Sequence, residues 1–248
     1  MELSTGQWLA VFAAAFGVGL GKGGLPGMGN LAIAVFAMGF PARMSVGILL
    51  PVLMSADLVA VLVYRRHAEW SVIRRLLPWT VAGLGIGAVV FGMIGDRTVE
   101  ILIGSILLLM TGLHFMKKFL QKNSASVPTG IESIVLCGST GLVGGFATMI
   151  ANAAGPVAAL YLLFLNLPKI AFVGTLAWFF MIVNWIKLPI MVGLGAVNLS
   201  TVSLSLPAIG FAMIGVLVAR AVVGIIPQKL FEWLIWIFVI GAGVHLLL

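Results

Sequence analysis

The sequence predicts an all-α integral membrane fold made of two inverted repeats, each a re-entrant or broken-helix hairpin followed by three transmembrane helices. Three observations lead there. Of 248 residues, 62% are hydrophobic and 8% charged, whereas soluble domains carry roughly 45–50% apolar and about 25% charged residues. Apolar stretches near the roughly 20 residues that a spanning helix needs follow one another with short polar breaks. The same order of elements then occurs twice.

In the first half, residues 7–20 are apolar, GKGGLPGMGN (21–30) interrupts, and residues 31–40 are apolar again. Residues 43–64 read as a full span ending in Tyr64-Arg65-Arg66, and 67–75, with Trp70, Arg74 and Arg75, as a short interfacial piece. Residues 76–95 and 98–116 give two more spans. The polar stretch around Lys117–Glu132 reads as a boundary, so the expected organisation is a first repeat (1–118), a cytoplasmic linker (119–131) and a second repeat (132–248). In the second half, residues 133–166 are interrupted by GGFATMIANAAGP (144–156), and spans follow over roughly 168–191, 202–223 and 229–248.

Matching positions support a repeat. Pro41, Gly47 and Asp57 recur with identical separations as Pro168, Gly174 and Asn184; Pro78 and Gly95 recur as Pro207 and Gly224; and Gly112 and His114 recur as Gly243 and His245.

The positive-inside rule then decides how the interrupted segments run. If each were a single span, Arg65, Arg66, Arg74, Arg75, Lys117, Lys118 and Lys122 would share one side, against Arg43, Arg97, Lys169, Arg220 and Lys229. If each is a hairpin, Lys169, Arg220 and Lys229 join the first group and only Arg43 and Arg97 oppose it, with Lys22 and Lys187 left inside the membrane. The hairpin reading wins, and with three spans after each hairpin it makes the halves inverted. Both termini are then extracytoplasmic in a multi-pass inner (plasma) membrane protein. Hairpin arms of about 10–14 residues, at 1.5 Å per residue, are shorter than the roughly 30 Å hydrocarbon core, so the tips are expected near the midplane.

Several functions are disfavoured. The net charge of +7 sits mostly in connectors, which argues for topogenic charge rather than nucleic acid binding. No Lys or Arg precedes the first apolar run, so a cleaved signal peptide is not expected. The single Cys137 excludes an intramolecular disulfide and reads as a small helix residue. HExxH, GxSxG, Walker-type and metal-ligand spacings are absent, so neither an enzyme nor a cofactor or metal is expected. A membrane enzyme or scaffold would need polar clustering at one interface, and none is seen.

Backbone that leaves the helix inside a bilayer is tolerated where protein or a watery cavity covers it, and paired breaks in inverted halves point to a transporter's substrate site. Lys22, Gly23, Gly24, Asn30 and Asn152, which lie in the breaks, are therefore candidate substrate-binding residues, and Lys187 either adds positive charge to the pathway or reaches the outer interface. The glycines let backbone amides approach a ligand, and a helix starting after a break presents free N–H groups and partial positive charge. A central lysine costs about 2.5–3.5 kcal/mol unless paired or hydrated; alternatively, Lys22 snorkels to the surface. Asn30 and Asn152 are neutral partners or half-helix caps. Asp57 pairs with Lys22 or binds a coupling proton if it faces the bundle interior, and otherwise lies at the interface. Lys187 shares a helix face with Asn184. His114, His245, Glu100 and Glu232 sit near span ends and read as structural.

Together, Gly21-Lys-Gly-Gly24, the Pro41–Asp57 helix leading to Tyr64-Arg65-Arg66, the Trp70 segment before Pro78, and Asn184-Trp-Ile-Lys187-Leu-Pro189 resemble the TauE/SafE family of sulfite exporters over nearly the whole chain. The resemblance implies a permease without its own ATPase that exports sulfite or an organosulfur anion such as sulfoacetate. It singles out Lys22 with its glycines, and Asn184 with Lys187, as lining the anion path. The second interruption lacks the glycine-rich run expected of the family. The expected partners are a small anionic substrate and the lipid bilayer, with no nucleic acid and with a homodimer left open. The expected function is a secondary transporter working by alternating access; the alternative is an anion channel or a carrier of another small organic anion.

Overall fold

The computed structural model describes residues 4–25, 27–29, 32, 33, 36, 40, 42–91, 93, 97, 101, 105, 108, 111, 112 and 130–247. The chain is helical, with no strand among the described residues. Its principal helices are α1 (Thr5–Lys22), α2 (Ala42–Tyr64), α3 (Trp70–Val90), α4 (Gly130–Ala151), α5 (Gly155–Phe164), α6 (Lys169–Gly193), α7 (Leu199–Ile225) and α8 (Gln228–Leu247). Among the described residues, five stretches are long and apolar enough to cross a bilayer: Met44–Tyr64, Trp70–Val90, Ser133–Ala151, Lys169–Gly193 and Leu199–Ile225. Large apolar side chains such as Leu62, Val89, Leu206 and Ile225 stand exposed along these helices, as lipid-facing surface requires. The protein is a multi-pass membrane protein. Asn30, most of the span expected over 98–116, and the linker as far as residue 129 lie outside the described residues.

Three helix boundaries differ from expectation. The Trp70 segment is not a separate interfacial piece but the first turns of α3, which carries Pro78 inside it. The second interruption is much shorter than 144–156: α4 runs unbroken through Gly144 and Gly145, and the chain leaves the helix only at residues 152–154. The first arms are also longer than expected. At 1.5 Å per residue, the 18 residues of α1 span about 27 Å and the 22 of α4 about 33 Å.

Local chemistry sets several of these limits. Ser4 caps α1 in a reciprocal box: its hydroxyl accepts from the Gln7 N–H at 3.3 Å, and its own N–H donates to Gln7 Oε1 at 2.9 Å. Asn198 and Thr201 build the same box at the start of α7. Asn152 stops α4 in the left-handed region at φ 56°, which asparagine tolerates better than most residues.

Contacts fix how the helices run. Tyr64, the last residue of α2, donates its hydroxyl to the Gly23 carbonyl at 2.9 Å, so the end of α1 lies level with the end of α2. Glu69 N–H donates to Thr175 Oγ1 at 3.0 Å, and Trp70 packs on Trp178, tying the start of α3 to the start of α6. Cys137 Sγ donates to the Arg75 carbonyl, placing the first part of α4 there too. Lys169 Nζ closes the set by donating to carbonyls of Val223, Gly224 and Ile226 at the end of α7. At the opposite end, Asn152 Nδ2 donates to the carbonyl of Val46, near the start of α2, and Arg97 to that of Leu247. The end of α1 therefore lies toward the Tyr64 end of α2 and the end of α4 toward its Val46 end.

Two close helix pairs frame this arrangement. α1 packs on α7 and α4 on α3, while α2 crosses α6, touches α7, and is matched by α6 touching α3. Glycine makes the close pairs possible. A Cβ on Gly19 would overlap the Ala212 carbonyl oxygen, and one on Gly145 would overlap the Thr80 carbonyl oxygen. Small residues let helix backbones approach in a solvent that supplies no hydrophobic drive between helices. Gly145→Leu is accordingly expected to cost about 1–3 kcal/mol or more through overpacking. The measurement is the thermal unfolding midpoint in detergent, with Gly85→Leu as the control that stays near wild type, because nothing lies within 4 Å of a Cβ at Gly85.

Candidate functional site

The polar side chains buried where the tips meet α2 and α6 form two connected groups. In the first, Lys22 Nζ lies 2.7 Å from Asp57 Oδ1, and Asn184 Nδ2 donates to Asp57 Oδ2 at 2.6 Å. Asp57 and Asn184, the positions matched by spacing in the sequence, thus touch each other. Asp57 is 0% and the Lys22 side chain 14% exposed, so Lys22 points into the protein rather than snorkelling. Its ammonium also sits 4.1 Å from the centroid of the Phe180 ring, a cation–π contact that partly offsets the loss of water.

In the second group, Lys187 Nζ donates to the Thr148 carbonyl and to Asn152 Oδ1, the latter at 2.5 Å. Asn152 in turn donates to Val46, so its two ends bridge α6 and α2. Lys187 is fully buried, and its partners are a carbonyl and an amide oxygen, not a carboxylate. The two groups together hold two lysines and one carboxylate. If all three are charged, the assembly has one excess positive charge, fixed by neutral oxygens where removal from water is costly.

The two lysines play matching parts from opposite elements. Lys22 belongs to the tip of α1 and reaches the long helix α2, whereas Lys187 belongs to the long helix α6 and reaches the tip of α4. Lys22 ties the end of α1 to α2, and Lys187 ties the end of α4 to α6.

Between the groups lies a cavity of about 110 Å³. Lys22, Thr148, Asn152 and Asn184 line it, as do Gly21, Gly24, Gly27, Gly29 and Gly155. Gly155 opens α5, so the amide end of that helix, with its partial positive charge, borders the cavity. The expectation that the first glycines offer their amides to a ligand is corrected in part. The N–H groups of Gly23, Gly24 and Leu25 already donate to the carbonyls of Gly19, Gly21 and Leu20. Gly23 packs instead against α7, where a Cβ would lie 2.5 Å from that of Ala219. Gly24, at φ 109°, does reach the cavity. Lys187 stands behind Asn152 rather than on the wall.

Sequence reasoning therefore brought together Lys22, Asp57, Asn184, Asn152 and Lys187, with Asn30 outside the described residues. It missed Thr148, Tyr64 and Phe180. Thr148 holds Lys187 through a main-chain carbonyl, which no side-chain pattern signals; Tyr64 reads as an ordinary span end. Phe180, one turn before Asn184, was the signal available on the helix face.

A family profile described as sulfite exporter TauE/SafE matches residues 11–246, which takes in every group of the site. No curated relative and no solved structure gives a significant match.

Proposed function

The chain belongs to the TauE/SafE family of sulfite exporters, whose members are permeases and not enzymes, and from that premise we propose that it is a secondary transporter exporting a small sulfur-containing anion, sulfite or an organosulfonate, by alternating access. The observation that carries this reading is the buried Lys22–Asp57 pair beside a cavity, with a second buried lysine, Lys187, held by neutral oxygens behind it. A buried ammonium is costly to retain without a negative partner, so an anion arriving beside Lys22 is favoured. The substrate sits in the cavity against Lys22, with Asn184, Asn152, Gly24 and the amide end of α5 around it; Gly23 and Lys187 support this set from behind.

Alternating access in inverted halves is part of the same proposal. Its support is the exchange of contacts: α1 on α7 is answered by α4 on α3, and α2 on α7 by α6 on α3. Likewise Gly47 packs against Ala196 beyond the end of α6, while its counterpart Gly174 packs against Tyr64 and His67 at the end of α2. The halves divide near residues 119–131. Arg65, Arg66, Arg74, Arg75, Lys169, Arg220 and Lys229 belong to the end where Tyr64 lies, and on the positive-inside rule that end faces the cytoplasm of an inner membrane, with both termini outside. The two lysine contacts then serve as latches, one for each tip.

Reconstituted in proteoliposomes, the purified protein is expected to give saturable efflux of sulfite or an organosulfonate that changes with an imposed pH gradient. Flux proportional to concentration and indifferent to the gradient would identify a passive anion channel instead.

A further inference from the structure

Toward the arginine-rich end of the molecule the cavity is covered in two layers. The inner layer is apolar. Phe172, near the start of α6, meets Phe231 of α8 edge to face at 5.5 Å, and both line the cavity. Gly24, which also lines it, is wedged between α6 and α7: a Cβ there would lie 2.7 Å from a methyl of Val173 and 3.2 Å from one of Val223. Both valines are buried, and a glycine, at φ 109°, is the residue that fits between them.

The outer layer is polar and is built on the same two helix ends. Lys169 stands one turn before Val173, about 6 Å nearer the start of α6, and does not line the cavity. Its ammonium donates to the carbonyls of Val223 at 2.9 Å, of Gly224 at 3.2 Å, and of Ile226. Val223 thus belongs to both layers, its side chain against Gly24 and its carbonyl on Lys169. Gln228, at the start of α8, accepts from the Lys169 N–H at 2.8 Å and donates to the Leu167 carbonyl at 3.4 Å. Among the described residues no carboxylate lies within 4.0 Å of Lys169. A lysine on the last turn of its own helix would serve only as a local cap; this one comes from a different helix, so its bonds hold two helices together. They are bonds of a cation to backbone oxygens at the edge of the membrane, where water can replace them, and they part without stranding a buried counter-charge.

We propose that Lys169 is the gate residue of the cytoplasmic mouth: it clamps the start of α6 to the end of α7, and the mouth opens when the ammonium leaves the α7 carbonyls and Phe172 and Val173 move away from Phe231 and Gly24. This rests on the reading that the cavity is reached alternately from the two faces, and it names the contact that must break on the cytoplasmic one. The clamp is separate from the Lys22 and Lys187 contacts, which hold the ends of α1 and α4.

The test is the reactivity of a cysteine placed inside the cavity. Ala159 lines it from α5, a helix outside the clamp, so Ala159→Cys in a Cys137→Ser background leaves one reporter thiol. The full-length protein is labelled in membranes, with no anion substrate added, by a small membrane-impermeant methanethiosulfonate applied to one face at a time. Lys169→Met keeps the apolar stem and loses the ammonium. It is expected to label at least about tenfold faster from the cytoplasmic face, the factor that corresponds to about 1.4 kcal/mol of lost closure, with no acceleration from the outer face. Lys169→Arg, which still donates to the carbonyls, is expected to label as slowly as the parent. Gln228→Ala loosens the same mouth without touching the ammonium and is expected to act in the same direction by a smaller factor; it decides the matter where Lys169→Met does not fold. Equal acceleration from both faces, or a lowered unfolding midpoint with unchanged labelling, makes Lys169 a helix cap and overturns the gate. Labelling as expected beside absent sulfite or organosulfonate flux would remove the proposed function and keep the gate, and flux without face-dependent labelling would do the reverse.

Discussion

Lys22→Ala, expressed at the normal level, loses anion transport. A hydrogen bond to a charged group contributes about 1.5–3 kcal/mol, so losing the head-group contact alone lowers anion affinity roughly 10- to 150-fold. The single variant has a second effect that must be separated from the first. Asp57 is wholly buried, and removing its cation leaves a charge whose isolation costs about 3–5 kcal/mol. A loss of flux from Lys22→Ala alone would therefore be ambiguous between a misfolded protein and an empty site. Pairing it with Asp57→Asn removes both charges and keeps an amide opposite Asn184. The double variant is expected to recover much of the thermal stability lost by the single one and still to transport nothing. Normal transport by the stable double variant would show that the central cation is not part of the path.

How much of this was legible in the sequence depends on whether a residue acts through its charge or through its backbone. Lys22 and Lys187 announced themselves, because an ammonium inside an apolar run has no inexpensive place to go. Asp57 and Asn184 were legible as equivalents by their spacing, and their direct contact is what a twofold relation between the halves would produce at its axis. The glycines were the poorest guides. Gly144 and Gly145 read as a break, since glycine costs a helix about 1 kcal/mol relative to alanine. In this fold Gly145 stays helical and serves instead to seat α4 against α3. The Trp70 segment misled for a different reason: Trp70 and the two arginines suggested an interfacial piece, yet they form the first turns of α3, which runs on through Pro78. The contacts that receive the helix ends were not legible either: Tyr64 with Gly23 and Asn152 with Val46 join segments far apart in the chain.

Asp57→Asn uncouples the transporter from protons. Asp57 and an arriving anion compete for the same ammonium, since Lys22 Nζ already lies 2.7 Å from the carboxylate. Neutralising Asp57 with a proton removes the competitor, so proton and anion favour each other's binding equally by linkage and leave together; export then follows the substrate's outward gradient and is accelerated by an inside-acid pH gradient. Asparagine copies the protonated shape and holds it permanently. Anion affinity of Asp57→Asn is therefore expected to rise above that of the wild type and to lose its dependence on pH, while turnover falls because the bound anion is no longer displaced by a returning carboxylate. Flux in proteoliposomes should then be the same with and without an imposed pH gradient. Asn184→Asp is the opposing change: it adds a second carboxylate where an amide now donates at 2.6 Å, opposes any anion at Lys22, and should weaken binding. If Asp57→Asn keeps the wild-type response to the gradient, the coupling proton resides elsewhere, and Asp57 serves only to hold Lys22 in place.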